Sequence, residues 1–125
     1  MPTRDRGEAT TQLVVLTPLL ILLVFLGIQT AIYFHAANVA AAAASQGAAA
    51  GAPLGADRGD AAQAAERTID ELQGHVVGAP AVSTGDGFVE VTVEIEVPRI
   101  VPFFPRSVRR TVIEPVERFV PESDR

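Results

Sequence analysis

The longest apolar segment of the chain, Leu13–Phe34, contains no charged residue in 22 positions. About 20 apolar residues cross the roughly 30 Å hydrocarbon core of a bilayer as a helix, so a transmembrane helix is predicted over residues 13–35. The hydrophobic part of a simple secretory signal is shorter, about 7–15 residues. Arg4 and Arg6 precede the segment, and the next basic residue is Arg58. This asymmetry predicts single-pass insertion in the cell membrane, with a cytoplasmic N-terminus and an extracytoplasmic C-terminal part.

Small residues continue the helical pattern beyond the apolar segment. Ala36–Ala50 is mostly alanine, the best helix former, so we expect one helix that ends near Gly51. Residues 36–52 are therefore predicted to form an Ala-rich helical stalk. The stalk is either a spacer or, because small residues let a second helix approach closely, a packing surface that includes Ala40 and Ala44.

Four residues interrupt the predicted apolar span: Thr17, Pro18, Gln29 and Thr30. Pro18 removes one backbone hydrogen bond, which in lipid needs a substitute, so it indicates packing or a kink. Gln29 lies near the outer end, where it either reaches interfacial water or forms a hydrogen bond between two spans. Pro18 and Gln29 complete the predicted helix-packing set with Ala40 and Ala44.

A second helix is expected over residues 58–72. Asp57 or Asp60 can cap its start, and Gln63 lies three residues after Asp60, as in a capping box. Gly74 is suited to the position after its last turn. Four residues at helical spacing form its apolar face: Ala61, Ala65, Ile69 and Leu72.

The segment Phe88–Val97 alternates apolar and polar residues, which predicts a strand with one buried face. Residues 76–83 are expected to form an irregular edge strand before it, and residues 107–113 a third strand. The fold class is therefore α+β. A long N-terminal transmembrane helix continues into the stalk, and the second helix packs on a small antiparallel sheet. Residues 1–12 form a cytoplasmic segment and residues 53–125 an extracytoplasmic domain.

Three prolines make the segment between the last two strands a loop with four large apolar residues: Ile100, Val101, Phe103 and Phe104. These side chains either fold under the sheet or expose a patch for a partner. Ile100, Phe103 and Phe104 are therefore a candidate interaction loop.

The chemistry-bearing residues give little indication of catalysis. The net charge of -5 argues against a nucleic-acid partner, and the absence of cysteine excludes a disulfide or a thiolate metal site. Glu90, Glu94 and Glu96 are interpreted as the solvated face of a strand, since no calcium-binding loop accompanies them. His75 has no second His or Cys at metal-ligand spacing, and His35, at the outer boundary of the span, is interpreted as an interfacial residue. We expect no enzyme activity, no cofactor, no metal and no small-molecule substrate.

The N-terminal residues Arg6–Leu13, followed by Leu16-Thr17-Pro18 and a Leu-rich span, resemble the TadE-like family. Members of this family are membrane proteins of the tight-adherence, or Flp-type, pilus machinery. The end of the span at Ala31–Ala37, the stalk and the tail Glu114–Phe119 are similar to the actinobacterial type.

The resemblance implies a minor pilin, or pseudopilin, with pilin-like or Tad secretion-system proteins as partners besides membrane lipid. Some members are cut by a prepilin peptidase after a glycine that precedes the apolar segment. In this sequence that glycine is Gly7, and Glu8 would become the first residue. The family usually carries Glu at the fifth position after the cut, where this chain has Gln12.

The first hypothesis is a membrane-anchored TadE-like pseudopilin or pilus-assembly component that acts by helix packing and protein–protein interaction. The alternative is a bitopic envelope binding module unrelated to pili. A third hypothesis is a secreted domain released by signal peptidase after Phe34.

Overall fold

The computed structural model describes the backbone of residues 4–118 and the side chains of residues 7–118. Its elements are α1 (Arg4–Gly51), α2 (Arg58–Glu71), β1 (Ala81–Gly85), β2 (Phe88–Glu96) and β3 (Ser107–Pro115). The strands form one antiparallel sheet in the order β1-β2-β3. The predicted α+β fold with a long N-terminal helix is confirmed. Phe119, which belongs to the family-like tail, lies outside the described residues.

Helix α1 has 48 residues and is therefore about 72 Å long. It ends at Gly51 as predicted, but it starts well before Leu13 and includes most of the predicted cytoplasmic segment. The helix continues through Pro18 without a break in its assignment. Because the chain stays helical on both sides of the predicted span, the membrane-spanning residues are part of one longer rod.

Helix α2 is capped by Asp57, one of the two predicted capping residues. Asp57 has extended backbone angles, and its Oδ1 accepts a hydrogen bond from the Asp60 amide at 2.9 Å. Asp60 Oδ2 accepts one from the Asp57 amide at 3.0 Å. The predicted Asp60–Gln63 pair is therefore wrong, because Asp60 is already the third helical residue. The two aspartates satisfy the amides reciprocally at the start of the helix.

At the end of α2, Gly74 has a role different from the predicted one, which was to form the turn directly after the helix. Gln73 adopts the left-handed conformation with φ 55°, and the Gly74 amide donates to the Ile69 carbonyl at 2.9 Å. This is the hydrogen bond of a Schellman ending. A Cβ on Gly74 would lie 2.7 Å from Val39 Cγ1 of α1. Gly74 is thus needed for the close approach of this ending to α1, and Gln73 makes the turn.

Strand β2 is the centre of the sheet, and the alternation predicted for it is confirmed. Five inward side chains are buried: Val89, Val91, Val93, Ile95 and Val97. On the outer face, Glu90 and Glu96 are exposed and Glu94 is half-buried. A two-residue turn with positive φ at Asp86 and Gly87 joins β1 to β2, as expected for a tight hairpin.

The edge strand β1 starts later than predicted. Of residues 76–80, Val76 forms an isolated bridge with Ile95, and Gly78 has φ 76°. This positive φ departs from the extended conformation, so regular pairing begins only at Ala81. Strand β3 pairs with β2 along its whole length, from Ser107 opposite Glu96 to Pro115 opposite Phe88.

The second half of α1 lies on the inner face of the sheet with α2 beside it. Its alanines share one buried cluster with residues of α2 and β2, and that cluster includes Ala44, Ala65 and Val91. A Cβ on Gly47 would lie 2.9 Å from the Ala61 carbonyl oxygen, so α2 packs almost backbone to backbone on α1. Residues 36–51 are therefore the central helix of the folded domain. They do not form a separate stalk below it.

Candidate functional site

The predicted processing residues lie in the first turns of α1. Glu8 and Gln12 are one helical turn apart, and both line the same shallow hollow on the helix surface with Thr11. The Thr11 hydroxyl donates to the Gly7 carbonyl at 2.9 Å. A Cβ on Gly7 would meet no atom within 4 Å. The bond after Gly7 is thus on an open helix surface, and a peptidase that binds extended substrates must unwind this first part of α1.

The first half of α1 is mostly exposed within the described chain, and the loop between β2 and β3 lies beside it at Leu22 and Phe25. Its large apolar side chains from Leu13 to Ile28, apart from the half-buried Leu26, are 43–67% exposed. Pro18 lies on this exposed part. The helix is long and apolar enough to cross a membrane, judged by length and composition. Lipid or other apolar helices must cover these side chains, because so large an apolar surface is unfavourable in water.

Gln29 marks the point where α1 enters the folded domain, and its predicted packing role needs correction. Its side chain is 0% exposed, and it is the buried polar side chain of the described residues. Its Nε2 donates to the Pro98 carbonyl at 3.1 Å, and its Oε1 accepts from the amides of Ile100 at 2.7 Å and Val101 at 3.1 Å. Gln29 therefore bonds to a loop of its own chain.

The predicted role of Ala40 and Ala44 as contacts for a helix of another protein also needs correction. Both are 0% exposed and belong to the core cluster formed by α1, α2 and β2. The small size of these residues lets the chain's own sheet and α2 approach α1. The sequence indicated a face for close packing, but periodicity alone could not show whether the partner was internal or external.

The side of α1 that lies opposite the buried Ala40 and Ala44 carries exposed residues that are small or polar. Five of them, which we call the outer face, are Gly27, Ala31, Asn38, Ser45 and Ala49. Their spacings of four or seven residues place them along one side of a helix, and the exposed Phe34 lies at its border. A Cβ on Gly27 would meet no atom within 4 Å. Because alanine recurs on every side of this helix, only the burial pattern separates the outer face from the inner one.

The loop between β2 and β3 divides its apolar residues between the two predicted alternatives. Val101 is buried, whereas Ile100 is 50% and Phe103 92% exposed, and Phe104 is half-buried. The loop lies beside the first half of α1, where it forms a hollow of about 260 Å³ with Leu22 and Phe25. An apolar patch is thus continuous from the exposed helix to the loop.

Charged and metal-binding chemistry is sparse in the described part of the chain. His35 and His75, distant in sequence, line the same mainly apolar hollow of about 350 Å³. Within the described residues, no group of three His, Cys, Asp or Glu side chains is close enough to hold a metal ion. Glu94 is bonded across the sheet by Ser107 and by Arg109, and the hydrogen bond from Ser107 is the larger cause that lowers its pKa. The Glu94 carboxylate thus links β2 to β3 on the surface of the sheet.

These observations define a membrane-anchored α+β protein of pilin-like architecture, in which one long helix is both the anchor and part of the domain core. The family model for TadE-like protein matches residues 7–49, which confirms the resemblance predicted from the N-terminal sequence. Over these residues the chain is similar to TadE-like protein. No significant match was found among curated proteins or among solved structures.

The family match covers the apolar half of α1 and nearly all of the half that packs in the folded domain. It also contains the whole outer face. Together, the match and the apolar helix support a membrane-anchored protein related to pilus assembly.

Proposed function

We propose that this chain is a non-enzymatic pseudopilin or pilus-assembly component of a Tad-type system, which acts by lateral packing of α1 against pilin-like helices. The observation that carries the proposal is the division of α1 into two sides. The inner side, with Ala40 and Ala44, is occupied by the chain's own domain, while the outer face is open. Small residues in the spacing of Gly27 and Ala31 favour close contact between helices in a membrane.

The same proposal includes the direction of the chain in the cell membrane. Arg4 and Arg6 precede the apolar segment, and the next basic residue is Arg58, so the N-terminus is cytoplasmic and the folded domain extracytoplasmic. In this orientation Gly7 lies on the cytoplasmic side of the membrane, with Arg4 and Arg6. The outer face then continues from the membrane into the extracytoplasmic space.

Substitution of Gly27 by Leu in the native host tests lateral packing. Because Gly27 meets no other part of the described chain, Gly27→Leu is expected to leave membrane levels and folding unchanged while it strongly reduces surface pili. The matched control is Ile28→Leu, which keeps side-chain volume at the neighbouring exposed position. Normal piliation in the Gly27→Leu strain would refute this packing face.

The intact mass of the protein from host membranes tests the processing step. Loss of residues 1–7 would show prepilin-type cleavage before Glu8 although Gln12 replaces the family's usual Glu. A full-length mass would instead identify a permanently anchored assembly component. A mass that corresponds to cleavage after Phe34 would contradict the proposal, because it would remove the membrane span.

A further inference from the structure

The loop of residues 98–105 is fastened to α1 inside the apolar part of that helix. Gln29 makes three hydrogen bonds to the loop backbone, and the buried Val101 packs below them. A hydrocarbon layer of about 30 Å that begins at Leu13 ends near Ile32, since each helical residue rises about 1.5 Å. The attachment at Gln29 therefore lies within the outer part of the span, and not above it.

Two large side chains of this loop point away from the protein at the same level. Phe103 is 92% exposed and Ile100 is 50% exposed, although Val101 between them is buried. Both line the hollow that also contains Leu22 and Phe25 of α1. The neighbouring helix surface is the one that requires an apolar environment, so water on this side of the loop would contact a continuous apolar patch.

The backbone of the loop is also prepared for an environment with little water. Three of its eight residues are prolines, which have no N–H group: Pro98, Pro102 and Pro105. Of the five remaining amides, three donate within the protein: those of Ile100 and Val101 to Gln29, and that of Phe104 to the Val101 carbonyl at 3.4 Å. Irregular backbone is tolerated at membrane depth when its polar groups are satisfied by protein.

Two arginines border the apolar loop residues. The Arg99 guanidinium donates to the Pro102 carbonyl at 3.3 Å, which satisfies one more backbone group, and Arg106 directly follows the last proline. Arginine side chains at such positions can extend to lipid phosphates while their stems cover apolar surface. An apolar tip, here Ile100 and Phe103, with arginines on either side is typical of a segment that lies at a lipid interface.

From these observations we propose that Ile100 and Phe103 insert into the outer leaflet beside α1, so that the loop is a second lipid-contacting element. This inference rests on the proposed membrane-spanning orientation of α1. Lipid acyl chains then cover the apolar patch. The contact of the loop with lipid fixes the height and rotation of the outer domain relative to the membrane. A helix anchor alone would leave the domain free to tilt about the point where α1 leaves the bilayer.

The absence of tryptophan from the chain permits a direct test. The full-length protein is reconstituted in phosphatidylcholine–phosphatidylglycerol vesicles at low protein density, with and without bromine on the acyl chains. Single variants carry one indole each. Phe103→Trp reports on the loop, and Leu20→Trp on the exposed part of α1. Phe88→Trp is the matched control, since Phe88 is also exposed but lies at the opposite end of β2, level with Gly51.

We expect brominated lipid to quench the Phe103→Trp and Leu20→Trp indoles strongly and the Phe88→Trp indole little. Quenching of Phe103→Trp no stronger than that of Phe88→Trp, with Leu20→Trp quenched, would overturn the loop proposal and leave the anchor intact. Absence of quenching in Leu20→Trp would overturn both proposals.

A second copy of the chain is the competing occupant of the patch. In that case, dilution of the protein in the vesicles would increase lipid quenching of Phe103→Trp, because dissociation would expose the loop to lipid. Quenching that is independent of protein density supports lipid as the occupant, and quenching that appears only after dilution overturns it.

Discussion

The two halves of α1 show how one continuous helix can meet two environments. From Leu13 to Ile28 nearly all of its large side chains are exposed, whereas from Ala36 onward one side is completely buried. The first half is built from large apolar residues that suit lipid, and the second from alanines that let a sheet and a second helix approach. The Ala-rich segment is therefore a structural part of the folded domain. Its inner side packs on that domain, and its outer side is exposed.

The largest expected effect comes from enlargement of a residue on the inner side. Ala44→Leu places additional carbon atoms in a core site that is 0% exposed, so we expect the outer domain to lose about 1–3 kcal/mol of unfolding free energy. Urea unfolding of the detergent-solubilised protein, followed by circular dichroism, measures this. An unchanged unfolding midpoint would show that the inner side is not tightly packed.

The matched substitution on the outer side sharpens the comparison. Ala49→Leu adds the same atoms at an exposed position of the same helix, so the unfolding free energy should change by no more than about 0.5 kcal/mol. Pilus assembly should nevertheless decrease, because Ala49 belongs to the outer face. A destabilisation as large as that of Ala44→Leu would remove the distinction between the two sides.

The junction between the two halves depends on Gln29. Gln29→Leu leaves the amides of Ile100 and Val101 without their acceptor, which costs about 1–3 kcal/mol when such groups stay buried. Hydrogen exchange of these two amides should therefore accelerate by one to two orders of magnitude if about that free energy is lost from loop closure. Thr30→Val is the control, since the Thr30 hydroxyl bonds only to the Leu26 carbonyl of its own helix in the contacts we observe. Equal exchange in the two variants would contradict the role of Gln29.

The smallest expected effect is on the solvent face of the sheet, far from either side of α1. Hydrogen bonds from Ser107 and Arg109 lower the pKa of Glu94 from its ordinary value of 4.5. A lowered carboxylate pKa stabilises the fold at neutral pH, and this contribution is lost as the pH falls through the folded-state pKa. Glu94→Gln should therefore reduce Tm slightly at pH 7, with the difference from the unchanged protein shrinking below about pH 4.5. Glu90→Gln, opposite Ile113, is the control.

The sequence predicted those elements that depend on local pattern. The β2 alternation, the end of α1 at Gly51 and the extent of α2 to within one residue follow from periodicity and helix propensity. The capping residue of α2 could not be chosen between Asp57 and Asp60, since both are plausible acceptors and only the backbone conformation decides. The start of β1 was predicted too early because the positive φ at Gly78 is not visible in residue type alone.

The candidate site was less predictable because it depends on long-range contacts. Gln29 and its partners Ile100 and Val101 are about 70 residues apart in sequence, and nothing local indicates that they meet. Ala40 was assigned to an external contact because an alanine that packs against its own domain has the same periodicity as one that packs against a neighbour. In both cases tertiary burial, which no short window of sequence records, determines the role.

The most direct test of the central claim is a site-specific photocrosslinking scan along α1 in native host membranes. A diazirine side chain is placed in turn at Gly27, Asn38 and Ser45 of the outer face and at the exposed His35 and Gln46, which line hollows beside the chain's own domain. We predict crosslinks to pilin-like proteins from Gly27, Asn38 and Ser45, and few from His35 or Gln46. Equal crosslinking from all these positions, or crosslinks confined to His35 and Gln46, would contradict the division of α1 into a side for its own fold and a side for its partners.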